Sequence, residues 1–272
     1  MFARLADKGQ APVKALYGQN SHLSRTMHDI RYDAVHDEVY VPVPYAQAIL
    51  TFRGGADGQE APIRTIQGPK VGEIGSRLDV DPVHNEIFTY RNNSIEVYPR
   101  DANGDVAPIR IIEGPDTQLK NVYSLAVDPV NDVLVVGLNS NFGSERGGTR
   151  QERGAILVFN RTDQGNAKPK AVIRGEKSRI VRINQMQVWP QKKEIIVAMP
   201  GIIDRMEPPD AFVGVWSYDD NGDVPPKIEI PIGQVTKMKK PFGVVLDPKH
   251  KELIVSDMRN QGILSFSVPE IF

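Results

Sequence analysis

Two short runs crowd oxygen ligands together. Asp101-Ala102-Asn103-Gly104-Asp105 and Asp219-Asp220-Asn221-Gly222-Asp223 have the composition of a calcium loop. A helix-loop-helix calcium site needs glycine at its sixth position for the sharp turn and a bidentate glutamate at its twelfth. Neither run supplies them. Asn-Gly inside such a run signals a hairpin instead, because glycine takes positive φ at no steric cost. His22 and His28 stand six apart, which suits no ordinary metal site. Ser24, His28 and Asp29 have the residue types of a hydrolytic triad, but no G-x-S-x-G turn surrounds the serine. Arg146, Arg150 and Arg153 could form an anion patch, yet Glu145 and Glu152 lie among them, so a solvated loop is the simpler reading. Asn92-Asn93-Ser94 and Asn160-Arg161-Thr162 are glycan acceptor sequons that matter only on a eukaryotic secretory route.

The elements around these residues repeat. The text DANGDVAPIRIIEGP of 101–115 returns as ADGQEAPIRTIQGP at 56–69 and DDNGDVPPKIEIPIG at 219–233. Weaker copies run over 6–18 and 162–175. Each copy is a hairpin: an alternating strand such as Ser94 to Tyr98, a polar turn, and a second strand that begins near Pro62, Pro108, Pro169 or Pro226. Proline donates nothing to a ladder, so this second strand belongs at a sheet edge. Upstream of each hairpin lies another strand pair, joined by Asp-Pro in most copies, such as Leu78-Asp79-Val80-Asp81-Pro82 followed by Glu86 to Tyr90. One repeat is thus four short antiparallel strands, termed a to d from the centre outward. Four-strand units at about 40 to 50 residues specify an all-β fold, a β-propeller. No stretch shows helical periodicity.

Composition agrees with a single propeller domain over 1–272. The chain has 33 Lys and Arg against 34 Asp and Glu, a net charge of −1 and no cysteine. That balance gives no electrostatic case for nucleic acid. No apolar run reaches the roughly 20 residues of a membrane span. The start MFARLADKGQ lacks the apolar region of a secretion signal, and the compartment stays open.

The run I-E-V-Y-P-R-D-A-N-G-D-V-A-P-I-R-I-I-E-G-P, with L-A-V-D-P and V-L-V-V after it, resembles the NHL-type and TolB-like propellers, bacterial secreted ones included. The resemblance covers the whole chain and implies a six-bladed design. Blades fall at about 28–67, 76–113, 123–174, 184–231 and 242–272, with a partial blade over 1–18. In that reading Met1 to Tyr17 is a c–d hairpin without its own a and b. The alternative is a five-bladed ring whose first d strand completes the last blade. Strand a is expected to be the least exposed and d the most.

In such a blade the start of a and the end of b lie at one mouth of the central channel. Insertions between b and c, over 138–154 and 199–211, overhang the same mouth. The residues gathered there are irregular and polar: Asp29, Arg77, Arg91, Tyr123, Asn139, Gln185 and Asp257. Arg77 and Arg91 could hold a carboxylate or phosphate. Two functions are open to such a mouth. The first is a non-catalytic propeller that binds a protein, a peptide or a small polar or anionic ligand there. The second, implied by gluconolactonase-like relatives, is a metal-dependent hydrolase or lyase. Asp29, Asn139, Asn184 and Asp257 would then hold a divalent cation such as calcium, although the family's central glutamate has no match here.

Overall fold

The structure is a computed structural model that describes residues 1–3, 6, 9–25, 27–140, 153–201, 208 and 210–272. It is all-β: nineteen strands in five antiparallel sheets, with three single-turn 3₁₀ helices and no α-helix among the described residues. The fold is a β-propeller of four-stranded blades. Blade 1 has β1 (Arg31–Asp33), β2 (Glu38–Val43), β3 (Ala48–Arg53) and β4 (Arg64–Gln67). Blade 2 has β5 (Leu78–Asp81), β6 (Glu86–Arg91), β7 (Ser94–Pro99) and β8 (Arg110–Ile112). Blade 3 has β9 (Val122–Asp128), β10 (Val133–Leu138), β11 (Ala155–Asn160) and β12 (Ala171–Ile173). Blade 4 has β13 (Gln185–Trp189), β14 (Glu194–Met199), β15 (Phe212–Ser217) and β16 (Ile228–Pro231). Blade 5 has β17 (Pro241–Asp247), β18 (Glu252–Asp257) and β19 (Gly262–Ser267), and stops at three strands.

Five blades, not six, is the count, which matches the alternative reading of the sequence. No strand is assigned among the described residues of 1–18. The segment keeps a remnant of the expected hairpin, with Val13 N–H donating to Met1 O at 2.9 Å. Without strands a and b beneath it, that remnant has no sheet to extend. Its d-like end instead docks on blade 1, where Leu16 forms a parallel bridge with Gly58.

The chain divides into two compact units, Met1–Arg91 with Glu96–Arg110, and Asn92–Ile95 with Ile111–Phe272. In the first unit, Tyr40, Ile66, Leu78, Ile87 and Tyr98 form a core between sheets. In the second, Ile156, Ile173, Ile183, Met186, Ile195 and Trp216 form one core, and Val213, Val244, Leu253, Val255 and Ile271 another. Each such side chain contributes roughly 1.5–3 kcal/mol when fully buried. The exposure pattern departs from expectation. Strand b is buried at least as fully as any other strand of its blade: β10 and β14 are buried throughout, whereas β13 is buried at one position of five. In blades 1 to 4 strands b and c have a neighbour on both sides. Strand a keeps one free edge.

The aspartates that end strands a lock the turns between a and b. Asp81 Oδ1 accepts N–H groups from Val83 and His84, both at 2.9 Å, and Oδ2 lies 2.8 Å from His84 Nδ1. Asp33 with His36 and Asp247 with His250 repeat the Asp–His contact at 2.6 and 2.7 Å. Three of the five histidines are thus turn locks.

Candidate functional site

The rim made by the starts of strands a and the ends of strands b is built differently in the two units. In the first unit it is a closed network. Asp29 is buried at the start of blade 1. Its Oδ2 lies 3.7 Å from Arg31 Nη2 and accepts the Leu78 N–H at 3.4 Å. Arg31 Nε donates to Leu78 O at 3.0 Å and lies 3.2 Å from Asp79 Oδ1. Arg77 is 1% exposed and donates to Ser76 O at 3.0 Å. Burial and then the Arg77 cation hold the His28 imidazole below its usual value. Arg91 is the more open guanidinium, and it carries its own counter-ion: Nη2 lies 2.9 Å from Glu96 Oε1. An anion arriving at Arg91 would have to compete with that carboxylate.

In the second unit the sequence-predicted residues are largely staples. Asn139 N–H donates to Asn121 O at 3.1 Å, and Asn139 Oδ1 accepts the Ile183 N–H at 2.8 Å. Gln185 Oε1 accepts the Val244 N–H at 2.8 Å, tying β13 to β17. That approach requires glycine at 243, because a Cβ there would lie 2.6 Å from Gln185 Oε1. Asn184 Nδ2 donates to Phe242 O at 2.6 Å. Asp257 is the most committed. Its Oδ2 accepts the Lys239 and Lys240 N–H groups at 2.6 and 3.1 Å, and its Oδ1 those of Arg259 and Asn260 at 2.9 Å each. These side chains hold backbone in place.

Tyr123 keeps company that sequence reasoning missed. Arg182 lies just before β13, and its guanidinium carbon sits over two rings, 5.8 Å from the Tyr123 centroid and 5.5 Å from that of Phe242. Tyr123 begins blade 3 and Phe242 begins blade 5, so one arginine of blade 4 reaches the start of both neighbours. Arg182 is 8% exposed. Its backbone is pinned on both sides, by Ser140 N–H donating to Val181 O at 2.9 Å and by the Asn139–Ile183 bond. The available signal was an arginine two residues ahead of a polar strand start, in phase with aromatic residues at the equivalent starts.

Most of both insertions lies outside the described residues. Arg146 and Arg150, with Glu145 and Glu152, lie outside the described residues. Arg153 is described, with Nη2 3.3 Å from Glu176 Oε1. Residues 202–207 and 209 of the second insertion are likewise outside. Among the described residues no cluster of three or more His, Asp or Glu has metal-holding geometry, and no helix is long and apolar enough to cross a membrane. No protein-family model and no curated protein matches the chain.

Proposed function

We propose that this chain is a non-catalytic propeller that recognises a protein, a peptide or a small polar ligand on the face where strands a begin and strands b end. The observation that supports this reading is the state of that face in blades 3 to 5. Asn139, Gln185 and Asp257 spend oxygens on backbone N–H groups, so the frame is rigid before a ligand arrives. Rigidity of this kind lowers the entropic cost of binding. Within the frame, Arg182 makes no hydrogen bond and no ion pair among the described residues. The frame is committed and the guanidinium is not.

The second reading, a hydrolase or lyase holding a divalent cation, draws on Asp29, Asn139, Asn184 and Asp257. It fares worse on chemistry. Asp257 would exchange four backbone N–H bonds for a cation, and Asn139 would release the backbone that positions Arg182. The likeness to NHL-type and TolB-like propellers belongs to the same proposal. It argues for the blade design and names no ligand.

A fragment screen followed through backbone amide NMR tests the reading. Hits are expected to shift the amides of Tyr123, Ile183 and Gly243. Hits that cluster instead at the Asp–His turns of His84 and His250, on the opposite ends of the strands, would retire this face.

A further inference from the structure

Arg179 and Arg182 stand three residues apart, and each sits against aromatic rings, but only one is complete. Arg179 lies 4.5 Å above the Phe212 ring and also pairs with Glu229 Oε2 at 2.6 Å. Arg182 has two rings and, among the described residues, no carboxylate. A guanidinium carries five N–H donors in its own plane and no acceptor. Ring faces stabilise the cation but satisfy none of those donors. A charge taken out of water without a counter-ion is costly. The chain nevertheless holds Arg182 in place, with Ile180 and Ile183 fully buried on either side and both flanking peptide groups hydrogen-bonded. A flexible arginine could have turned to solvent. This one is kept at the rim with its in-plane donors unclaimed by any described residue.

Resting on the binding reading above, we infer that Arg182 is the anchor of a carboxylate slot walled by Tyr123 and Phe242, and that the ligand presents a single planar carboxylate on an apolar stem. The fork of a guanidinium matches the two oxygens of a carboxylate in plane. One guanidinium between two rings balances one negative charge. A phosphate monoester carries about −1.5 to −2 near neutral pH and would ask for more cations than the slot offers. The stem would lie against the ring faces. The carboxylate can come from a small organic acid or from an acidic side chain of a peptide, and the two sources differ only in the group beyond the stem.

The test uses the full chain and titrates it with benzoate, benzamide and inorganic phosphate. Alongside these run a capped Gly-Gly-Glu-Gly-Gly peptide and its Gln counterpart. Benzoate or the Glu peptide is expected to bind, and whichever does so more tightly identifies the source. Benzamide, the Gln peptide and phosphate are expected to bind at least tenfold more weakly. Arg182→Met should abolish the preference, and Arg182→Lys should weaken it at least tenfold, because an ammonium lacks the fork. Arg182→Met should melt no lower than the wild type, since the buried charge it removes has no counter-ion among the described residues. Equal binding of benzoate and benzamide, tighter binding of phosphate, or an unchanged preference in Arg182→Met would overturn the slot. If a ligand of another class binds this face and is lost in Tyr123→Ala, the slot fails while the binding reading stands. If the fragment screen maps elsewhere, both fail.

Discussion

Glu194 opens β14 as Glu38 opens β2 and Glu86 opens β6, but it has lost their partners. Glu38 Oε2 accepts from Arg64 at 2.5 Å and from Arg100 at 2.7 Å. Glu86 takes a bidentate pair from Arg110 at 2.5 and 2.8 Å. In blade 4 the register places Ile228 where blade 1 has Arg64, opposite Val215 and Thr51 respectively. Val268 replaces Arg100, each donating its N–H to the loop before strand b. Glu194 is left 7% exposed, and its Oε2 has no hydrogen-bond partner. Burial raises its carboxyl above the usual range, with Lys227 and Lys192 opposing only in part. The folded state therefore favours the protonated form. The group stabilises folding fully below the unfolded pKa, and that stability is lost as pH rises through the raised folded value. Blade 3 shows the alternative, with Val133 and Ala171 at the two positions. Glu194→Val is therefore expected to stabilise the protein at pH 7 by about 1–3 kcal/mol, the cost of an unsatisfied buried group. The gain should shrink below pH 4, where the carboxyl is protonated in both states, and leave only the cost of the unpartnered neutral group. Thermal melts across pH check it, and a gain that grew on acidification would contradict the assignment. Residues of this kind are poorly legible in sequence. The glutamate is visible, but its missing partners sit 34 and 74 positions away, as the rings beside Arg182 sit about 60 away in either direction.

The repeated Asp/Asn/Gly text works at the scale of elements, and its work is clamping. Each hairpin glycine forms a parallel bridge with the d strand before it: Leu16 with Gly58, Ile66 with Gly104, Ile112 with Gly165, Ile173 with Gly222. The polar side chains around it reach the same strand or the turn that follows it. Asn103 Oδ1 accepts the Thr65 N–H at 2.9 Å, and Asp105 Oδ1 that of Lys70 at 2.7 Å. Asn221 Oδ1 takes Val172 N–H at 2.9 Å, while Asp223 Oδ1 takes Lys177 and Ser178 at 2.7 and 3.0 Å. The glycine that ends the d strand leaves room for this contact, since a Cβ at Gly68 would lie 2.5 Å from Asp105. The hairpin itself was legible from Asn-Gly and the proline after it. Its second role was not, because the hydrogen bonds close on residues 35 to 49 positions earlier. Asp223→Ala is expected to cost about 1–2 kcal/mol, since two N–H groups lose their acceptor. Asp219→Ala, four residues away in the same turn, should stay within about 0.5 kcal/mol as an ordinary surface change. Denaturant melts of the two variants decide this. A calcium loop would make both substitutions costly and both melts calcium-dependent, and that pattern would return the metal reading to these runs.

At the scale of the whole molecule, the repeats agree on strands a, b and c in every blade, and blade 5 alone stops at three. Its outer strand β19 pairs with β18 from Glu252↔Ser267 to Asp257↔Gly262 and has no partner on its other side among the described residues. The counterpart in blade 4, β15, is buried at all six positions, whereas β19 is buried at none, and Ile263 is 70% exposed. The sequence already lacks a d strand after this c strand, but the alternation of β19 matches that of the other c strands and does not by itself show its exposure. What sets its exposure is the neighbour that a d strand would supply. An open edge leaves alternate N–H groups to water, and local opening there breaks few apolar contacts. Hydrogen exchange should therefore rank the c strands. The outward amides of Gly262–Ser267 are expected to exchange at least a hundredfold faster than those of Phe212–Ser217, while β10 and β14 exchange slowest. Ile263→Lys should leave the melting temperature within about 2 °C, because a surface change is worth within about 0.5 kcal/mol and 1 kcal/mol corresponds to about 2–4 °C at this size. Protection of β19 equal to that of β15, together with a marked loss of stability in Ile263→Lys, would mean that a fourth strand covers this edge in solution.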